Sequence, residues 1–190
     1  SWISRLFCVG KALNGAGFPR CTVWPLAIYT HRAGAPYAFS MRLSDHFYLY
    51  EMTRSQLATR HNIANQPNAG QIDALRHLCV EVLEPVRRHF GVPIVPSSGF
   101  RSMALNRLLG SQDSSSHCAG EAVDFEVIGV GNLVLAHWMA ENLVFDQLIL
   151  EYPQADDERA GWLHISYKHT ENRAQCLTRH QNGYARGLPR

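Results

Sequence analysis

Two short stretches of this 190-residue chain carry side chains that could do chemistry together: Ser115-Ser116-His117-Cys118-Ala119-Gly120-Glu121-Ala122-Val123-Asp124, and Gly161-Trp162-Leu163-His164 some forty residues on. Imidazole nitrogens and a carboxylate oxygen are zinc donors, each about 2 Å from the ion they share. The seven residues from His117 to Asp124 span about 23 Å if extended and about 10 Å if helical. The chain must therefore fold back between them, and Gly120 can supply the tight turn. Two imidazoles and one carboxylate leave one position of a tetrahedral zinc open, as in a catalytic rather than a structural site. The open position holds water, whose pKa zinc lowers to about 7, and the ion polarises a carbonyl. Amide hydrolysis then needs only a base to steer the proton and a cation to hold the substrate.

The elements that must position these residues are legible in the sequence pattern. Thr53-Arg-Ser-Gln56 is a capping-box pattern that predicts a short helix through about Arg60, and Asn68-Ala-Gly-Gln71 is another. Behind the second, Ile72, Leu75, Cys79, Val82, Val86 and Phe90 recur at helical spacing. Pro85 lies inside that helix and predicts a kink or a split. Val92 to Val95 is a short β-branched run, and Ser102 caps a helix that Gly110 stops. From Glu121 to Ile128 the chain alternates as a strand, with Val123, Phe125 and Val127 on one face and Ala122, Asp124 and Glu126 on the other. A helix from Asn132 to Asn142 follows. Strands over 145–152 and 162–167 then read as a hairpin, with His164, Trp162 and Ser166 on one face of the second. The expected architecture is α+β, an antiparallel sheet with helices packed on one side. Residues 1–40, broken repeatedly by glycine and proline, read as a poorly specified arm, and Met41 opens the organised segment. Residues 41–177 read as the domain, and 178–190, with the polar run leading in from Gln175, as a loosely held tail.

Composition narrows the function. With 18 Lys+Arg against 16 Asp+Glu the formal charge is only +2, too small and too evenly spread for a nucleic-acid partner. The apolar runs fall far short of the ~20 residues of a membrane helix. Leu6-Phe-Cys-Val9 breaks at Gly10 before reaching the ~7 to 15 residues of a secretion signal. Five scattered cysteines, none in a Cys-x-x-Cys pair, indicate neither a disulfide framework nor a thiolate zinc site. Cytoplasmic synthesis of a monomer is the expectation. Cys118 reads as packing, and His31, His46, His61, His77, His89, His137, His169 and His180 as ordinary surface or core histidines.

Ser115-x-His117-x-x-Gly120-x-Ala122-x-Asp124 with Trp162-x-His164 resembles the zinc D-Ala-D-Ala carboxypeptidase family, of hedgehog/D,D-peptidase fold. Its relatives include vancomycin-resistance dipeptidases, phage endolysins and the hedgehog signalling domain. Ser98-Gly-Phe-Arg101-Ser102 resembles the segment bearing that family's substrate-binding arginine. Phe145-Asp-Gln-Leu-Ile-Leu-Glu151, His164-Ile-Ser-Tyr167 and Asn172-Arg173 resemble its phage and prophage branch. The likeness extends over about residues 43–177. It implies one zinc ion on His117, Asp124 and His164, with Arg101 binding substrate or steadying the oxyanion and Ser115 seating the peptide. It also implies a substrate, the peptidoglycan stem peptide, cut as a D-Ala-D-Ala carboxypeptidase or an endolysin-type endopeptidase acts, with zinc-bound water as nucleophile at the bacterial wall. Many relatives place a glutamate base three residues before the last histidine ligand, where this chain has Gly161. Glu151, across the expected hairpin, is the substitute candidate, and its face depends on strand register. The missing glutamate also leaves open a non-catalytic reading, a zinc-containing module that binds peptidoglycan or a protein.

Overall fold

The computed structural model describes residues 41–190, so the arm expected over 1–40 lies outside the described residues. The chain enters through two short helices, α1 (Leu49–Thr53) and α2 (Gln56–Arg60). The cap of α2 is Ser55, whose side chain accepts from the Ala58 N–H at 3.2 Å. Thr53, expected to be the cap, instead ends α1 and donates its hydroxyl to the Leu49 carbonyl at 3.0 Å. A serine two residues further on has the extended backbone a cap requires.

The helix predicted from Asn68 forms, with both halves of its capping box in place. It runs as α3 (Ala69–Leu78), a π-helical turn (Cys79–Leu83) and α4 (Glu84–Phe90). At the position where Pro85 predicts a kink or a split, the two α-helical segments are divided by that π turn. Proline has no N–H to donate and its ring crowds the carbonyl four residues back. The wider turn just before it, in which the Glu84 N–H bonds to the Cys79 carbonyl, carries the helix through. Leu75, Leu78, Cys79, Val82, Leu83 and Val86 are all fully buried along it.

After α5 (Met103–Leu108) and the four-residue α6 (Ser116–Ala119) come β1 (Ala122–Phe125), α7 (Asn132–Asn142), β2 (Gln147–Glu151) and β3 (Trp162–Ser166). The last strands are β4 (Gln175–His180) and β5 (Gly183–Arg186). The sheet order is β1-β3-β2-β4-β5, and the α+β architecture is as expected. The pairs β1–β3 and β2–β3 are antiparallel, the latter being the predicted hairpin, whereas β4 joins β2 in parallel. The segment expected to be a loose tail therefore completes the sheet. Its strands carry no apolar alternation to betray them; they are held by ladder bonds to β2 and by Thr178, whose buried hydroxyl donates to the Gly187 carbonyl at 2.8 Å. Val123, Phe125, Leu148, Leu150, Leu163 and Ile165 form one face and share a core with the long helix and with Leu135 and Met139 of α7. The other face carries the chemistry.

Two of the recognised sequence segments turn out to be architectural. Asp146 is 1% exposed and accepts a two-pronged bond from Arg173, at 2.8 Å from Nε and 2.6 Å from Nη2. Beside it, Asn172 closes a turn by accepting from the Lys168 N–H at 2.9 Å and donating to the Lys168 carbonyl at 2.8 Å. The Arg173 bonds, helped by Lys168, hold the Asp146 carboxyl below its ordinary value despite burial. A depressed carboxyl contributes stability above its unfolded value, near 3.9, and loses it as pH falls through the folded one. Arg173→Ala is expected to cost about 1 to 2 kcal/mol at pH 7, the exposed part of the guanidinium being screened by water. The deficit should shrink towards pH 2, as read from urea unfolding of variant and parent at both values.

Candidate metal centre

The ligand cluster is built by a short helix, a glycine turn and two neighbouring strands. His117 sits in α6, which ends at Gly120 with φ of 78°. A Cβ at Gly120 would stand 2.5 Å from the Gln71 carbonyl oxygen, so only glycine allows the helix end to lie against α3. Gln71 also donates its side chain to the Cys118 carbonyl at 2.9 Å, tying α6 down. The chain then reverses into β1, and Asp124 lies directly opposite His164 of β3 in the antiparallel register.

The donor atoms meet closely. His117 Nε2 lies 3.1 Å from His164 Nδ1 and 3.2 Å from Asp124 Oδ1, and His164 Nδ1 lies 2.8 Å from the same oxygen. Donors on a tetrahedral ion with bonds of 2.0 to 2.1 Å stand about 3.3 Å apart, so the three suit a single zinc. The hydrogen on His117 is assigned by its other nitrogen: Nδ1 lies 2.7 Å from the Gly99 carbonyl, which can only accept, so Nδ1 carries the proton. Nε2 therefore presents a lone pair to the cluster, towards a carboxylate oxygen that is also an acceptor. Burial pushes the His117 imidazole below its ordinary value, keeping it neutral. For Asp124, burial acts upward, yet with His164 Nδ1 on Oδ1 and the Arg101 guanidinium on Oδ2 the carboxyl lies well below the usual range. A bare nitrogen facing an ionised oxygen in a buried site is the donor set a metal cation fits.

Arg101 occupies the far side of the same carboxylate. Its Nη2 donates to Asp124 Oδ2 at 2.5 Å and its Nε to Ser98 Oγ at 2.9 Å, while its backbone N–H reaches the His117 carbonyl at 3.2 Å. The segment bearing it runs beside β1, with Ser98 bridged to Asp124. Asn65, which the sequence reading passed over, holds that segment: it donates to the Phe100 carbonyl at 3.0 Å and accepts from the Ser102 N–H at 2.7 Å. Its signal in sequence is only an asparagine in a loop. Ser115 is the half-buried N-cap residue of α6, two residues before His117, and its side chain makes no cap bond there.

The register that the sequence left open puts Glu151 opposite Trp162, hence on the face of His164 and Asp124. Glu151 is 7% exposed. Burial, and then Asp124, push its carboxyl above the ordinary value against the pull of Arg179. Arg179, placed by the sequence reading in the tail, pairs with Glu151 at 3.1 Å from the parallel neighbour strand. Its guanidinium carbon lies 5.3 Å from the Tyr152 ring centre and 5.4 Å from that of Tyr184. No sequence motif announces this partner, because only the parallel pairing brings it there. Gly161 has φ of 78°, and a Cβ on it would fall 1.7 Å from the Glu151 carbonyl oxygen. No side chain, glutamate included, fits that turn. Asn132, buried at the start of α7, holds the turn by donating to the Arg159 and Gly161 carbonyls, each at 3.0 Å.

Compared with known families, residues 45–166 match the family model described as Peptidase M15, a span of well over half the chain that contains every one of the candidate ligands. No curated protein matches the chain.

Two outcomes follow from this geometry. Protein purified and dialysed against micromolar zinc is expected to retain about one equivalent by elemental analysis. His117→Ala should retain less than a tenth of that while folding, since a three-donor site reduced to two loses most of its affinity. Gly161→Ala is expected to lower stability by about 3 kcal/mol or more, from the left-handed backbone together with the overlap on residue 151, as read from thermal and urea unfolding.

Proposed function

We propose that this chain, which belongs to the Peptidase M15 family of metallopeptidases, binds zinc and hydrolyses an amide bond of peptidoglycan stem peptides. The observation that carries this reading is the convergence of His117 Nε2, Asp124 Oδ1 and His164 Nδ1, all within 3.2 Å of one another, with the His117 tautomer set by Gly99. These three residues would hold the ion. When bound, zinc supplies a Lewis acid that activates water and polarises the scissile carbonyl.

The chain's own residues do the rest. Glu151 is the base: a carboxylate on the ligand face, raised by burial, takes a proton from the attacking water and passes it to the departing amine. Arg101 keeps Asp124 Oδ2 engaged so that Oδ1 faces the histidines. A guanidinium has five N–H groups, and those not spent on Asp124 and Ser98 are available to a substrate carbonyl or carboxylate. Ser115, at the mouth of α6, seats the peptide. The likeness to the phage branch in 145–151, 164–167 and 172–173 favours a wall-opening role in lysis or entry.

The other reading, a zinc-containing module that binds without cutting, draws on Gly161, where many relatives carry the base. The geometry that excludes any side chain at 161 also sets Glu151 on the ligand face, which favours the enzyme. The deciding measurement is mass spectrometry of purified muropeptides incubated with zinc-loaded protein, beside a chelated sample. Release of one alanine identifies a carboxypeptidase, and a split within the stem or cross-bridge an endopeptidase; both must vanish with chelator. Glu151→Gln should lower kcat by at least about 100-fold with zinc content unchanged. Absence of any metal-dependent product across diverse wall types overturns the enzyme in favour of the binding module.

A further inference from the structure

Beside the ligand cluster lies a cavity of about 490 Å³, bounded by the α1–α2 junction, the 96–100 segment and α5. Its wall belongs to the metal centre. Ser98 lines it and accepts from Arg101 Nε at 2.9 Å, and Arg101 Nη2 in turn holds Asp124. Ser97, also in the lining, donates its backbone N–H to the Asp124 carbonyl at 2.9 Å. Cavity and ligands are thus separated by one guanidinium and its two hydrogen bonds, a distance that about two or three residues of extended peptide cover at ~3.3 Å each.

The lining has a definite chemistry. Phe100, Leu105 and Leu109 give an apolar floor, hydroxyls surround it, and Arg54 is its one cation, with no carboxylate among the lining residues. Arg54 is exposed and is anchored by an Nη2 bond to the Pro96 carbonyl at 3.1 Å. That bond sets the guanidinium at the cavity wall without neutralising it. A planar cation of this kind, ringed by hydroxyls above an apolar floor, matches a carboxylate with a short run of methylenes beside it.

We propose that this cavity is a second subsite of the same cleft and takes an acidic residue of the peptide substrate, its carboxylate on Arg54 and its methylenes over Phe100, Leu105 and Leu109. The assignment rests on the stem-peptide reading above and adds a specificity to it: substrates whose acidic residue is free are preferred to those in which it is amidated. Arg54 is a specificity residue, remote from the reacting atoms.

The test uses zinc-loaded, full-length Glu151→Gln protein and two fluorescent stem pentapeptides. One carries γ-linked D-glutamate with a free α-carboxylate, and the other its α-amide, D-isoglutamine. The free acid is expected to bind about tenfold more tightly than the amide, and Arg54→Gln in the same background should abolish that difference by weakening the acid alone. Gln56→Glu, which places a carboxylate at the start of α2 beside the cavity, should weaken the acid in the same way and serves if Arg54→Gln fails to fold. Equal affinity for the two peptides, or a preference that survives both substitutions, overturns the subsite and leaves the stem-peptide reading standing. Binding of neither peptide overturns both.

Discussion

The antiparallel pairing of β1 with β3 is the constraint on which the rest of this molecule depends. It sets Asp124 directly opposite His164, and side chains opposite each other across a strand pair stand close enough to share one ion. Slipping that register by one residue would turn Asp124 towards the core and replace it with Val123 or Phe125. The register is held by burial. Val123, Phe125, Leu163 and Ile165 pack into the core with the long helix, and a one-residue slip would turn one strand's pair out of it. The apolar face thus enforces the geometry of the polar one.

A second layer of control acts through backbone rather than side chains. Gly120 lets α6 end against the Gln71 carbonyl, and Gly161 lets the loop before β3 turn beneath the Glu151 carbonyl. At both places a Cβ would collide with backbone, which cannot move aside as a flexible side chain can. The two turns have opposite consequences for chemistry. The first brings His117 to the strand pair. The second denies position 161 to any carboxylate, so that a base on this face has to come from the neighbouring strand.

What was legible in the sequence follows the same physics. Elements with a burial pattern were readable: the helix behind Asn68, the Asn132–Asn142 helix, and the strands bearing Asp124 and His164, whose alternation separates core from site. The long motif groups His117, Asp124 and His164, the three residues whose donor atoms converge in the fold. The final two strands leave little trace because their sequences are polar and ladder bonds, to β2 on one side and within the β4–β5 pair on the other, hold them. With them went Arg179, since a parallel partner nearly thirty residues distant leaves no local trace. The π turn at Pro85 was also invisible, because the sequence states that an ordinary turn fails there and not which remedy the helix adopts.

The two carboxylates on the site face share one device. Asp124 gives Oδ2 to Arg101 and Glu151 gives Oε2 to Arg179, so in each case an arginine grips one oxygen and fixes the plane of the other. A carboxylate free to rotate would spread its lone pairs over many directions and pay ordering entropy on every binding event. Held in this way, Asp124 meets the histidines with Oδ1 already aimed. The arginines also balance the charge of the buried acids, which isolated ionised carboxylates could not sustain at such depth. Arg179 is itself held between Tyr152 and Tyr184, and Tyr184 is supplied by β5. The last strand of the sheet thereby reaches the reactive face through an aromatic ring, a cation and a carboxylate in series, which gives a polar, exposed edge strand a part in the site that its sequence alone does not suggest.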